Sequence, residues 1–270
     1  MGIQVNNSIS ALGAQRQVQG ATRRLTRGLN QLASGLRIDR ASVDAAGLAI
    51  AERFRTQVRQ FNQEAQGLQT GINLVQTAES ALSTQQDAIG RIRELAVQAS
   101  SGTLTDAQRS LLNEEAQQLV QQIDQTGQDT SFNGLQVLDG STPTITLDPA
   151  GSSTIDLPES TAASLGVDTV DLSTQAGASA ALDALDTAST QISQSRAQLG
   201  AQENGLTRAI DVRNVASVNA AEAESRIRDL DIAQASVSRA RDQLLQQAAI
   251  SALAQANVQS ESASRLLLGG

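Results

Sequence analysis

One uninterrupted heptad run constrains this chain more than any other feature. Phe54, Phe61, Leu68, Val75, Leu82, Ile89 and Ala96 fall seven residues apart, and Val58, Ala65 and Ile72 fill the interleaved positions. That 3-4 spacing lays one continuous apolar stripe along an α-helix. No Pro interrupts it, so the spacing predicts a single helix from about Asp44 to Ser100. At ~1.5 Å rise per residue it is roughly 80 Å long. A stripe of that length must be covered by other helices.

The covering helices are visible in the same sequence. Thr105-Asp106-Ala107-Gln108 reads as a capping box, the Thr hydroxyl accepting from an early helical N–H while the Gln side chain reaches back. Behind it Leu112, Ala116, Leu119 and Ile123 form a second apolar face that ends near Gly127. A third helix carries Leu185, Ile192, Leu199 and Leu206 seven apart, reinforced by Leu182 and Ile210. Three such faces with short connections predict a mainly α chain, a long antiparallel bundle or coiled coil.

Both ends are amphipathic but thinner. Val18, Leu25 and Leu32 share one register, with Leu29 and Leu36 beside it; Leu230, Val237 and Leu244 repeat by seven, followed by Leu253 and Val258. Helices with so little apolar surface are marginal alone. The expectation is that they are mobile in the monomer and order against neighbours. Between about Gly140 and Gly177 the period shifts to two. Ile145 and Leu147 alternate, Pro149-Ala150-Gly151-Ser152 offers a turn, and Ile155 and Leu157 alternate again, which predicts one small β-hairpin.

Composition decides which functions are open. There is no His, Cys, Trp or Tyr, only three Phe, and all 20 basic residues are Arg. No Ser-His-Asp triad, Cys nucleophile, Schiff-base lysine or phosphate-loop lysine can be assembled. Thiolate or imidazole metal sites are excluded, and no cofactor is expected. Carboxylate pairs such as Glu114-Glu115, or Asp229 with Asp231, lie in helical polar faces without aromatics to desolvate them. Solvation or pairing with Arg suits them better than acid-base catalysis.

The net charge of −8 conceals an asymmetry. Residues 1–38 carry five Arg and no acid, whereas twelve Asp or Glu and no base lie between Arg109 and Arg196. An acidic middle without stacking aromatics does not suit a nucleic-acid binder. No apolar run reaches the roughly 20 residues of a membrane span, so no membrane insertion is expected. Residues 1–20 lack the apolar block of a cleaved signal peptide. Their Arg-rich start is continuous with the helical pattern rather than a transit peptide, and Asn6 stands where a myristoylation signal wants Ser or Thr. The Asn6-Asn7-Ser8 sequon is a three-residue match of low specificity.

Specific residues narrow the rod further. Leu32-Ala33-Ser34-Gly35-Leu36-Arg37-Ile38, then Asp44-Ala45-Ala46-Gly47-Leu48-Ala49-Ile50 with Arg53-Phe54, and Arg91-Ile92-Arg93-Glu94-Leu95-Ala96-Val97-Gln98 resemble the amino-terminal signature of bacterial flagellins. Phe132-Asn133-Gly134 precedes the β segment as in that family. Ser225-Arg226-Ile227 with Asp231, Gln246-Gln247-Ala248 and Leu253-Ala254-Gln255-Ala256-Asn257 resemble its carboxy-terminal signature.

The resemblance implies a minimal flagellin without the variable outer domains. Residues 1–43 and 225–270 would be the terminal helices of the filament's inner tube, self-assembling through the apolar positions named above. Residues 44–140 and 180–224 would form the helical rod, with 141–179 its short β-hairpin and loop segment. The rod core would be Phe54, Phe61, Leu68, Val75, Leu82 and Ile89 with Leu185, Ile192, Leu199 and Leu206. The implied function is a non-enzymatic subunit of the swimming filament, secreted without a cleaved signal; a hook–filament junction protein is the alternative. Implied partners are other copies of itself, an export chaperone, the filament cap and hook-junction proteins. Arg91, Leu95 and Glu115 match the contact made with the vertebrate Toll-like flagellin receptor; the resemblance implies packing between subunits as their main role and receptor binding as an incidental one. The terminal Leu266-Leu267-Leu268-Gly269-Gly270 extends past the family's usual end.

Overall fold

The computed structural model describes residues 9–148, 151 and 153–268. The Asn6-Asn7-Ser8 sequon, the Met1-Gly2 start, Pro149, Ala150 and Ser152 of the expected turn, and Gly269-Gly270 lie outside the described residues. In order, the elements are α1 (Ile9–Ser34), α2 (Ala45–Ala99), α3 (Asp106–Asp129), β1 (Ser131–Phe132), β2 (Leu135–Gln136), β3 (Thr144–Thr146), β4 (Thr154–Asp156), α4 (Gln175–Arg228) and α5 (Ile232–Leu268). The fold is mainly α, as the heptads predict.

The helix ends have local causes. Thr105 and Gln108 form the anticipated reciprocal capping box at α3. Three further caps carry no comparable sequence signature. The carboxylate of Asp44 accepts from Gly47 N–H at 2.9 Å, the hydroxyl of Thr174 from Gly177 N–H at 3.0 Å, and the carboxylate of Asp231 from Gln234 N–H at 3.0 Å. Each satisfies one of the unpaired amides at the start of α2, α4 or α5.

The chain divides into two compact units whose boundaries fall inside helices, at Val58/Arg59 in α2 and Ser217/Val218 in α4. The expected partition placed them at 43/44 and 224/225. The first unit gains the beginning of α2 and the end of α4 because they pack within it: Ala51 is fully buried, Ile38 and Ala220 nearly so. Arg228 Nη1 pairs with Glu52 Oε1 at 3.3 Å.

The second unit, residues 59–217, holds the large core. Leu68, Leu82, Ile89, Ile92 and Leu95 of α2 meet Ile123 of α3 and Leu185, Ile192 and Leu199 of α4, all essentially inaccessible. Antiparallel α2 and α4 are also joined along their polar edges. Ser217 Oγ donates to Asn62 Oδ1 at 2.8 Å, and Arg213 Nε lies 2.6 Å from Glu64 Oε2. Gln76 Nε2 donates to Glu203 Oε1 at 2.8 Å, Gln86 Nε2 to Ser189 Oγ at 2.7 Å, and Arg93 Nε lies 2.8 Å from Asp186 Oδ1.

Two features depart from the expected single hairpin on a loop. The anticipated β3–β4 hairpin exists, pairing Ile145 with Ile155. A second, β1–β2, pairs Phe132 with Leu135 around Asn133 and Gly134, at φ 51° and 81°. Two positive φ values in a two-residue loop match the twist a tight hairpin needs; strands of two residues are too short to show alternation. The connection from Leu157 to Thr174 is also more than a loop. Leu157, Ala162, Leu165, Val167, Val170 and Leu172 are buried and close the core between hairpin and helix.

Buried polar groups fix these layers. Gln85 Nε2 donates to the carbonyls of Ile123 at 3.0 Å and Ser160 at 2.7 Å, joining α2, α3 and the connection. Arg109 is buried across the end of α2, donating from Nε to Ala99 O and from Nη2 to Ser101 O, each at 2.9 Å, while Nη1 meets Asp106 Oδ1 at 3.1 Å. It supplies positive charge and donors where a helix C-terminus leaves carbonyls unpaired. Gly127 has no side chain because the Ser160 carbonyl occupies that space; at Gly71 the Leu147 side chain does.

Candidate assembly interface

In the first unit α1 and α5 run antiparallel. Arg24 Nε pairs with Asp242 Oδ1 at 3.1 Å, and Gln246 Nε2 donates to Thr22 Oγ1 at 3.0 Å. Beyond the helix ends an antiparallel bridge joins Leu36 to Asp229, with Arg37 N–H donating to Arg228 O at 2.7 Å and Leu230 N–H to Gly35 O at 2.9 Å. The helices approach through small residues: Gly13, Ala14 and Ala21 of α1 and Ala248, Ala249 and Ala252 of α5 line one groove. Side chains that small allow close approach but bury little apolar area, so the pair contributes far less hydrophobic stabilisation than the second unit's core.

The expected assembly positions divide into two groups. Val18, Leu25, Leu32, Leu36, Leu230 and Leu253 are half-buried. Leu29, Val237, Leu244 and Val258 are exposed, Val237 at 71% and Leu244 at 66%. The α5 heptad therefore does not face α1; the half-buried positions of α5 among the described side chains are Ala235, Asp242, Gln246, Ala249, Leu253 and Ala256. Ile232 and Ile250 are also exposed apolar residues on α5, outside the heptad register that drew attention to its neighbours, whereas Leu245 lines the groove toward α1. Nothing within the chain covers this face among the described residues.

Of the expected rod-core positions, Leu68, Val75, Leu82, Ile89, Leu185, Ile192, Leu199 and Leu206 are buried, while Phe54 and Phe61 are half-buried. Phe54 falls in the first unit.

Arg91 and Glu115 are brought together, with Nη2 2.8 Å from Oε1, and Glu94 approaches Nη1 at 2.9 Å. Hydrogen bonding to Glu115, then to Glu94, raises the Arg91 guanidinium above its ordinary value. All three side chains are exposed, which makes the cluster a surface feature of small energetic weight. Leu95 is different: it is 2% exposed and belongs to the core. Only Arg91 and Glu115 of that trio present their side chains outward. Among the described residues no helix is long and apolar enough to cross a membrane.

Comparison with known proteins agrees with this geometry. The family model of the bacterial flagellin N-terminal helical region matches residues 5–142, and that of the C-terminal helical region matches residues 182–267. This chain belongs to the bacterial flagellin family. As a flagellin it is a structural subunit that self-assembles into the filament used for swimming. The flagellar filament core protein flaB2 of Brachyspira hyodysenteriae is 38% identical, over 97% of this flagellin and 99% of its own length. A flagellin of Halalkalibacterium halodurans is 37% identical with the same coverage. A solved structure of a putative flagellar hook-associated protein from Vibrio parahaemolyticus overlays with a TM-score of 0.58 at 13% identity. It covers 69% of this flagellin and 100% of that chain, a likeness of fold alone.

Proposed function

We propose that this flagellin assembles through the outward faces of α1 and α5, at Leu29, Val237, Leu244 and Val258. The half-buried Val18, Leu25, Leu32, Leu36, Leu230 and Leu253 serve to hold the pair together. One observation carries the reading: α5 leaves Val237 and Leu244, with Ile232 and Ile250, largely open to solvent. A helix with so little buried surface is marginal alone and gains its stability from a partner. In a polymer, small burials repeat at every subunit and add by mass action. The second unit provides the stable body on which this face is carried.

The role is architectural rather than catalytic: with no His, Cys or Lys, the chain lacks the usual nucleophiles and neutral-pH bases. The weakly packed terminal helices suit threading through a narrow export channel before they order on the growing polymer. An export chaperone, the filament cap and hook-junction proteins are the further partners this role calls for. The Arg91–Glu115 pair is best suited to a contact between subunits, and a vertebrate flagellin receptor would meet the same pair.

Seeded growth tests the reading. Purified chain is added to preformed seeds and followed by light scattering and electron microscopy, beside a form lacking residues 1–43 and 225–270. Long tubular filaments from the full chain and none from the truncated form are expected. Discrete rings or small oligomers under every seeding condition would favour the hook–filament junction role instead.

A further inference from the structure

The acidic middle of the sequence becomes, in three dimensions, a separation of charge between the two compact units. Residues 1–58 and 218–270 hold 13 Arg against 9 Asp and Glu, a net +4; residues 59–217 hold 7 Arg against 19, a net −12. Within the first unit the positive charge is focused. Five Arg side chains, among them Arg24, Arg27 and Arg239, line one open cleft of about 500 Å³ where the end of α1 meets the start of α5.

The acids in that cleft are already engaged. Asp242 pairs with Arg24 at 3.1 Å, Asp229 accepts from Ser225 Oγ at 2.6 Å, and Asp231 caps α5. Arg27 and Arg239, one from each helix, have no carboxylate within 4.0 Å among the described residues. Two guanidinium groups in a concave site focus positive potential and present fork-shaped donors matched to carboxylates.

Every copy of the chain carries the complementary surface. Within the second unit, Glu114 of α3 and Asp168 and Asp171 of the connection before α4 are exposed. Asn113 of α3 accepts from Leu172 N–H at 2.8 Å, which brings the connection and its carboxylates beside α3. Contact between like units of two copies opposes equal charges, whereas contact between unlike units joins opposite ones.

We infer that in the polymer the arginine cleft between α1 and α5 of one copy receives carboxylates from the acidic 59–217 unit of a neighbouring copy. This rests on the filament reading above and specifies one of its contacts. Such a contact is heterologous, using different surfaces on the two partners, and so continues indefinitely when rotation does not close it. The apolar face of α5 supplies burial; the cleft supplies orientation and choice of neighbour.

The absence of Lys makes the contact directly readable. In R239K, which keeps the charge, the new ε-amine and the chain N-terminus are the only primary amines. A carbodiimide activates a carboxylate, the amine displaces the urea, and an amide remains. Filaments grown from a mixture of ¹⁴N- and ¹⁵N-labelled R239K are treated and digested. Mixed-isotope amides joining position 239 to an Asp or Glu within residues 59–217 are expected. Normal filaments giving only amides to Asp231 or Asp242, or none, overturn the inference while leaving the filament reading intact. A second variant, R27Q/R239Q, should extend seeds at least tenfold more slowly with unchanged helicity; wild-type growth counts against the cleft. Unmodified chain that never extends seeds would sink the filament reading and this inference together.

Discussion

Gln85 and Ser160 hold each other through two hydrogen bonds in the core: Gln85 Nε2 donates to Ser160 O at 2.7 Å, and Ser160 Oγ donates to Gln85 Oε1 at 2.5 Å. Both residues are 1% exposed, so neither bond can be exchanged for water without opening the unit. Gln85→Leu leaves the Ser160 carbonyl and hydroxyl without this partner and removes a second donor from the Ile123 carbonyl, at a cost of about 1–3 kcal/mol. Ser160→Ala should cost about 1 kcal/mol, and the double variant less than the sum. Equilibrium urea unfolding followed by circular dichroism measures all three; a wild-type midpoint for Gln85→Leu would show the network to be incidental.

Glycine substitutions should separate by what lies opposite. Gly127→Ala drives a methyl into the Ser160 carbonyl, a backbone atom that cannot rotate away. The expected loss is about 1–3 kcal/mol. Gly90 sits inside α2 with nothing within 4 Å of the added carbon, so Gly90→Ala should raise stability by up to about 1 kcal/mol through helix propensity. Matching shifts of the same sign in the unfolding midpoint would contradict both assignments.

The rod was legible because its signal is periodic. Leu68 through Ile89 and Leu185 through Leu206 announce their burial by spacing alone, and Thr105 with Gln108 announces where α3 begins. Gln85 and Arg109 were not legible: one polar residue in a long helix looks like any other until its partners, 38 and 10 residues away, are brought beside it. The burial of Leu165, Val167, Val170 and Leu172 in the connection is not legible, because it follows neither a helical nor a strand period. The assembly face was legible as apolar positions but not as a direction. Spacing cannot say whether Val237 points at α1 or away from it.

Core and assembly positions should separate in two assays on Leu→Ala pairs. Leu199 is fully buried, and Leu199→Ala should cost about 2–5 kcal/mol in the monomer. Leu244 is 66% exposed, and Leu244→Ala should change monomer stability by less than about 0.5 kcal/mol while slowing seeded growth severalfold. Equal growth rates for Leu244→Ala and wild type would remove Leu244 from the interface.

Acid should destabilise the fold through a few identifiable carboxyls. The Arg40 guanidinium holds Asp39 below the usual carboxylate range, the Ser141 hydroxyl does so for Asp139, and the Ser173 N–H for Asp171. A pKa depressed by folding stabilises the native state above the unfolded value, and that contribution disappears as pH falls through the folded one. Stability should therefore decline below about pH 4. Asp171→Asn keeps an acceptor but not the charge. The gap between wild type and this variant should narrow as pH falls, and a gap that widens would reverse the assignment.

The polar rungs between α2 and α4 limit how such a chain can change its length. Asn62–Ser217, Glu64–Arg213, Gln76–Glu203, Gln86–Ser189 and Arg93–Asp186 hold the helices in one register. Deleting a single residue from α2 rotates everything beyond it by about 100° and turns every later rung away from its partner. Losing seven residues restores the face but shifts the rungs unless α4 loses seven as well. Insertions and deletions are therefore confined to the turns and connections, or must arrive as matched heptads in two helices far apart in the sequence.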